Sequence, residues 1–165
     1  MKNILIFTIF ILFCACSTNT ENTQPNASAL YTYIDIYLKD SNNNDILGSL
    51  KYPESSIFAN YLINSKVIQN NNNGNILDYP NNIMCYNELG RHCVRIFLNY
   101  AATEELPITY MHWNATEMDT LKAQYRRGTG IDGNYVVLQK LWYNDKLVWD
   151  VTVEGQTTSA ITIVK

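Results

Sequence analysis

Only two histidines, His92 and His112, occur in the chain, and neither stands in a nucleophile motif such as G-x-S-x-G. Histidine-based nucleophilic catalysis has no recognisable constellation here. Basic residues are sparse as well, 12 Lys and Arg against 15 Asp and Glu, for a formal charge of −3. Arg126-Arg127 is the one adjacent basic pair, whereas nucleic-acid binding rests on clustered Lys and Arg that neutralise phosphates. No apolar run approaches the roughly 20 residues that a membrane-spanning helix requires. The longest, Ile4 to Phe13, is broken by Thr8 and ends after about half that length.

That run follows the charged start Met1-Lys2-Asn3, and together they form a signal-peptide pattern. It leads into Phe13-Cys14-Ala15-Cys16, which resembles a bacterial lipobox. Signal peptidases need a small side chain just before the cut; Ala15 provides one before Cys16, while Phe13 blocks the equivalent position before Cys14. Cys16 is therefore the expected lipidation residue, with residues 1–15 removed and Phe rather than Leu three residues before the cysteine. Several acyl chains, at about 0.8 kcal/mol per buried CH₂, would hold the protein on a membrane without a helix. Cleavage removes Lys2 and no acid, leaving 11 basic against 15 acidic residues and a formal charge of −4.

Residues 16–28 continue as "CSTNTENTQPNAS", with almost nothing apolar beyond the cysteine, and read as a tether. From residue 29 to 165 the chain is the size of one domain. Asparagine clusters at 41–45 and 70–75 mark turns, because Asn tolerates left-handed backbone and bonds its own main chain. Between turns the hydrophobic period is two. Leu30, Thr32, Ile34, Ile36 and Leu38 alternate with Tyr31, Tyr33, Asp35, Tyr37 and Lys39; Val94, Ile96, Leu98 and Tyr100 form a second such series. Leu147, Trp149, Val151 and Val153 form a third, and Ile161 and Ile163 a fourth. Tyr135 to Trp142 is apolar on both parities, as a central strand would be, and turns back through Asn144-Asp145. Glu54 to Tyr61 is the only stretch with helical promise. The expected fold is all-β: a two-sheet antiparallel sandwich of about seven strands, immunoglobulin-like or transthyretin-like.

Three stretches, "DSNNNDILG", "HWNATEMDTLKAQY" and "KLWYNDKLVWDV", together resemble a group of uncharacterised Bacteroidetes lipoproteins with small β-sandwich domains behind a lipobox. The resemblance implies attachment to the outer membrane of a cell envelope, facing either the periplasm or the surface. It carries no established activity and supplies no catalytic residues.

Cys85 and Cys93 flank "CYNELGRHC". If they face each other, Asn87 pairs with Arg91, Glu88-Leu89-Gly90 becomes a three-residue hairpin loop, and a disulfide is the expectation in an oxidising compartment. A metal site from Cys85, His92, Cys93 and His112 fails, since adjacent His92 and Cys93 would point to opposite faces of a strand. Asp40-x-Asn42-x-Asn44 has the spacing that opens an EF-hand loop, but Asp45 stands where Gly makes the turn and Lys51 where Glu closes the shell. No metal or cofactor is expected. Glu104-Glu105, Glu117 and Asp119 leave a glycosidase-type envelope hydrolase as the alternative function.

Aromatic content is the stronger lead. Three tryptophans and twelve tyrosines exceed what one sandwich core needs. Tyr31, Tyr33 and Tyr37 share the parity opposite the aliphatic residues of the first strand, and with Trp113 they are the candidate ligand-contacting residues, for a glycan or an envelope protein. The competing reading places these rings inside the sandwich or over its edges. Asp119-Thr120-Leu121 is similar to the O-glycosylation signal of Bacteroidetes envelope proteins and makes Thr120 a candidate attachment site. The expected function is that of a lipid-anchored binding or structural module without catalytic activity.

Overall fold

The computed structural model describes residues 29–69, 79, 81–101, 104–130, 133–153 and 158–165. The signal segment, Cys14, Cys16, the tether and the 70–75 asparagine cluster lie outside the described residues. Among the described residues eleven strands follow one another: β1 (Ala29–Tyr31), β2 (Tyr33–Lys39), β3 (Phe58–Ile63), β4 (Lys66–Gln69), β5 (Ile83–Glu88), β6 (Arg91–Phe97), β7 (Ile108–His112), β8 (Met118–Gly130), β9 (Gly133–Tyr143), β10 (Lys146–Asp150) and β11 (Ala160–Val164). Of the stretch with helical promise, only Glu54–Ser56 forms a 3-10 turn. Phe58 onward is extended because it finds strand partners on both sides, β4 and β7. Among the described residues no helix is long and apolar enough to cross a membrane.

The strands form two sheets. The larger runs β1-β9-β8-β7-β3-β4, with β10 also on β9; the smaller runs β11-β2-β6-β5. β1 pairs with Tyr135 to Val137 and β10 with Lys140 to Tyr143, so they share one edge of β9 end to end. Both sheets are mixed, because β1 runs parallel to β9 and β11 parallel to β2. The sandwich expected from the alternation is thus present, with eleven strands among the described residues rather than about seven and with mixed rather than purely antiparallel sheets. Its single core lies between the sheets, with Ile34, Ile36, Val94 and Ile96 on one side and Met111, Leu121, Leu138 and Leu141 on the other.

Local chemistry explains the turns. Asn144 and Asp145 have φ of 47° and 66°, Asn64 and Ser65 have 50° and 61°, and Leu89 and Gly90 have 52° and 80°. These positive values fit two-residue loops whose twist matches the flanking strands. The first asparagine cluster is a polar turn: the Asp40 carboxylate accepts the backbone N–H groups of Asn42 and Asn44, each at 2.8 Å.

Two expectations are corrected. The first alternating series is not one strand, since the chain crosses from the larger to the smaller sheet at Thr32. The Leu147-to-Val153 series stops at Asp150, after the β10 ladder slips between Leu147 and Trp149. Trp149 is therefore buried while Leu147, Val151 and Val153 are exposed.

Candidate functional site: an aromatic and cationic sheet face

In β2 the side chains of Ile34, Ile36 and Leu38 enter the core, so Tyr33, Asp35, Tyr37 and Lys39 point outward. β6 lies antiparallel beside it, with Phe97 opposite Tyr33 and Arg95 opposite Asp35. On the far side of β6, β5 sets Met84 opposite Arg95, Tyr86 opposite Cys93 and Glu88 opposite Arg91. Opposed residues share a face, so the outer surface of the smaller sheet collects Tyr33, Tyr37, Tyr86, Phe97, Arg91 and Arg95.

The groups interlock. Arg95 Nε and Nη2 each donate to the Asp35 carboxylate at 2.8 Å. Its guanidinium carbon lies 4.0 Å from the Tyr33 ring centroid and 5.6 Å from that of Tyr86. Arg91 lies 4.6 Å from the centroid of Tyr37, whose hydroxyl reaches from β2 to β5 and donates to Glu88 Oε2. Tyr86 reaches the other way, its hydroxyl against Cys93 and Asp35. Cys93, on this outer face, is 0% exposed. Tyr79 stacks on Phe97 with centroids 4.7 Å apart. Each cation over a ring contributes about 0.5–1 kcal/mol where exposed, and the paired fork of Arg95 holds its plane fixed.

The Tyr37 and Tyr86 phenols and the Arg95 guanidinium are all shifted upward and keep their protons at neutral pH. The hydrogen bond to Glu88, with burial behind it, pushes the Tyr37 hydroxyl up to about 12. Burial, then Cys93 and Asp35, raises Tyr86 further, and the Asp35 hydrogen bonds raise Arg95. The face offers ring edges, a fixed guanidinium plane and phenol oxygens.

Only part of the candidate set converges here. Tyr33 and Tyr37 are on the face, half-buried rather than standing free. Tyr31 is 58% exposed but ends β1 on the other sheet, so the expected three-ring strip does not exist. Trp113 is not a surface ring: it is buried in the core, edge-on to Tyr52 with centroids 6.4 Å apart. Thr120 points outward from the larger sheet opposite Tyr110, half-buried, with its backbone N–H on the Asn144 side chain. Arg91, Arg95 and Tyr86 were missed by sequence reasoning. The signal for the two arginines was the outward parity of β6, Arg91, Cys93, Arg95 and Phe97 alternating with buried Val94 and Ile96.

The disulfide expectation is overturned. Cys85 and Cys93 are both free thiols. Glu88 pairs directly with Arg91, so the loop has two residues rather than three, and Cys85 lies opposite Val94 while Cys93 lies opposite Tyr86. The one-residue slip puts the two thiols on opposite faces of the sheet, where no disulfide geometry can be met.

Of the candidate carboxylates, Glu117 and Asp119 are held in an ion-pair cluster. Lys165 Nζ lies 2.7 Å from Glu117 Oε1 and 2.6 Å from Asp119 Oδ2, so it sits between them. Asp119 also accepts from Trp113 Nε1, Asn144 Nδ2 and the Tyr143 hydroxyl. Glycosidase carboxylates flank a scissile bond, whereas this pair flanks a lysine that ties the smaller sheet to the larger. Glu104 and Glu105 are exposed in the loop before β7. His92 contacts Asp45 at 3.4 Å, while His112 stacks on Phe58 on the larger sheet's outer face. A concavity of about 240 Å³ is lined by Tyr61, Ile63, Asn99, Tyr100 and Ala101; in it the Tyr61 hydroxyl donates to the Phe97 carbonyl and the Asn99 amide to those of Leu62 and Ile108.

No family model, no curated protein and no solved structure matches the chain.

Proposed function

We propose that this chain is a lipid-anchored binding or structural module of a bacterial cell envelope, without catalytic activity, held to the outer membrane through Cys16. The group of Bacteroidetes envelope lipoproteins that its motifs resemble is the proposed family. The surface that meets the partner, a glycan or another envelope protein, is the outer face of the smaller sheet. One observation carries this reading: Tyr33, Tyr37 and Tyr86 converge with Arg91 and Arg95 on that face, although Tyr33 and Tyr37 come from one strand and the others from two more. A sandwich does not need such an array outside its core, and aromatic and Arg groups are those that dominate binding surfaces. Thr120, outward on the opposite sheet, leaves a glycan attached there clear of this face.

The test uses the mature chain from residue 17. It is passed over arrayed envelope glycans and over solubilised native envelope, in parallel with Tyr33→Ala and Arg91→Ala. Retention that each substitution weakens, with His112→Ala unchanged, supports the reading. Retention indifferent to both face variants, or turnover of a glycan by the wild-type chain, rejects it.

A further inference from the structure

We infer that Lys165 and Asp119 condense into an isopeptide bond, an amide that joins the residue after β11 to β8 and so ties the smaller sheet covalently to the larger, with Glu117 carrying the protons. The inference concerns the joint between the sheets and does not depend on what the outer face binds. Lys165 Nζ lies 2.6 Å from Asp119 Oδ2 and 2.7 Å from Glu117 Oε1. Adding at most one C–O bond of about 1.23 Å puts the amine within about 3.8 Å of Asp119 Cγ, near the roughly 3–3.5 Å of reacting atoms poised for attack.

Fixed backbone places these side chains. Lys165 N–H donates to the Lys39 carbonyl at 2.9 Å, continuing the pairing of β11 with β2. Glu117, just before β8, accepts at its carbonyl from Trp113 N–H at 3.0 Å and donates its own N–H to Asn114 Oδ1 at 2.9 Å. The Tyr52 hydroxyl holds Glu117 Oε2 at 3.0 Å and leaves Oε1 toward Lys165. Glu117 and Asp119 are two residues apart in extended chain, so both reach the same amine.

Asp119 carries more donors than a counterion to Lys165 needs. Trp113 Nε1 and the Tyr143 hydroxyl donate to Oδ2, and Asn144 Nδ2 donates to Oδ1. Donors on both oxygens stabilise the negative charge of a tetrahedral adduct as it forms at Cγ. The reacting side chains are shielded, Asp119 at 8% exposure and Lys165 at 14%, while Glu117 at 28% lies nearer solvent and gives released water a way out.

The step balances within the chain. The Lys165 ammonium gives a proton to Glu117, which passes it to the Asp119 carboxylate; the free amine then attacks Cγ and the C–N bond forms. A second proton travels from nitrogen through Glu117 to the same Asp119 oxygen, the C–O bond breaks, and water leaves. Ammonium and carboxylate become one neutral amide and one water, and Glu117 is regenerated. Although burial disfavours both charges, the hydrogen bonds between them keep Asp119 and Lys165 ionised in the uncondensed chain, so closure is slow and follows folding. Until it closes, the cluster titrates as an ion pair. Closure happens once per chain, and effective molarities of about 10⁵–10⁸ M for well-placed groups favour the amide over the separate groups.

Intact-mass spectrometry of the mature chain from residue 17, kept folded at neutral pH over several days, tests this beside Lys165→Arg and Glu117→Gln, each checked for folding by circular dichroism. Wild type should lose the mass of one water, and trypsin should then release residues 96–122 and 147–165 as one linked peptide. Lys165→Arg should keep its full mass, and so should wild type held in denaturant. Glu117→Gln should condense about a hundredfold more slowly, the loss expected for a positioned proton carrier. Full mass in the aged wild type, a water loss that persists in Lys165→Arg or in denaturant, or a linked peptide that forms as fast in Glu117→Gln overturns the inference.

Discussion

The indole Nε1 of Trp113 donates to Asp119 Oδ2 at 2.6 Å, linking the residue after β7 to the second residue of β8 inside the sandwich. Asp119 is buried and meets four donors, including the Lys165 amine. Removing the Asp119 carboxylate leaves Lys165 its pair with Glu117 but takes the acceptor from the Trp113 indole and from Tyr143 and Asn144, and a buried donor left unsatisfied costs about 1–3 kcal/mol. Asp119→Ala should therefore destabilise the domain by about that much in denaturant unfolding, while Glu117→Ala should cost less because its carboxylate is more exposed.

The same cluster sets a pH dependence. Burial alone would raise Asp119, but the hydrogen bonds from Lys165, Tyr143, Asn144 and Trp113 overcome it and hold the carboxyl below its ordinary 3.8. Lys165 holds Glu117 below its ordinary 4.5. Depressed acids contribute stability that is present above their unfolded values and lost as pH falls through the folded ones. Lys165 is shifted the other way: burial opposes its charge, yet Asp119 and Glu117 raise it above 10.5. Its contribution is complete below that value and lost as pH rises through the raised one. Thermal unfolding should show a plateau across neutral pH with declines below about pH 4 and above about pH 10.5, and Lys165→Met should flatten both.

The thiols make a third test. With Cys85 and Cys93 on opposite faces, the unfolded, non-reduced chain lacking Cys16 should titrate two thiols before any oxidant is added. Burial pushes Cys85 up to about 11, so its alkylation in the folded state should be slow at neutral pH. Reductant should leave the melting temperature unchanged.

For the anchor, Cys16→Ser should release the protein from membranes or leave it unprocessed, while Cys14→Ser should leave lipid labelling intact. Labelling that survives the first change and not the second reverses the assignment.

On the sheet face, Arg95→Lys should keep the fold but lose the paired fork to Asp35 and the plane over Tyr33. Retention of the bound partner should fall by the equivalent of about 1–2 kcal/mol. A variant that binds as wild type would remove Arg95 from the surface that matters.

The two-sheet architecture was legible in the chain because strands buried on one face alternate with period two, and Ile34-Ile36-Leu38, Val94-Ile96-Leu98 and Ile161-Ile163 all do so. The Asn144-Asp145 turn was legible for an equally local reason, the tolerance of those side chains for positive φ. Register was not local. The sequence admits a three-residue loop between β5 and β6, and the two-residue loop that forms moves Cys85 across the sheet from Cys93. Nor does alternation say when a strand changes sheets: Tyr31 keeps the parity of Tyr33 and ends up on a different layer because the chain crosses at Thr32. The sequence by itself determined the strands, their buried sides and most turns, all properties of a few neighbouring residues. Only the tertiary structure decided that Trp113 goes inside with Asp119 and Lys165, and that Arg91 and Arg95 meet three tyrosines outside, because those meetings depend on which strands lie side by side.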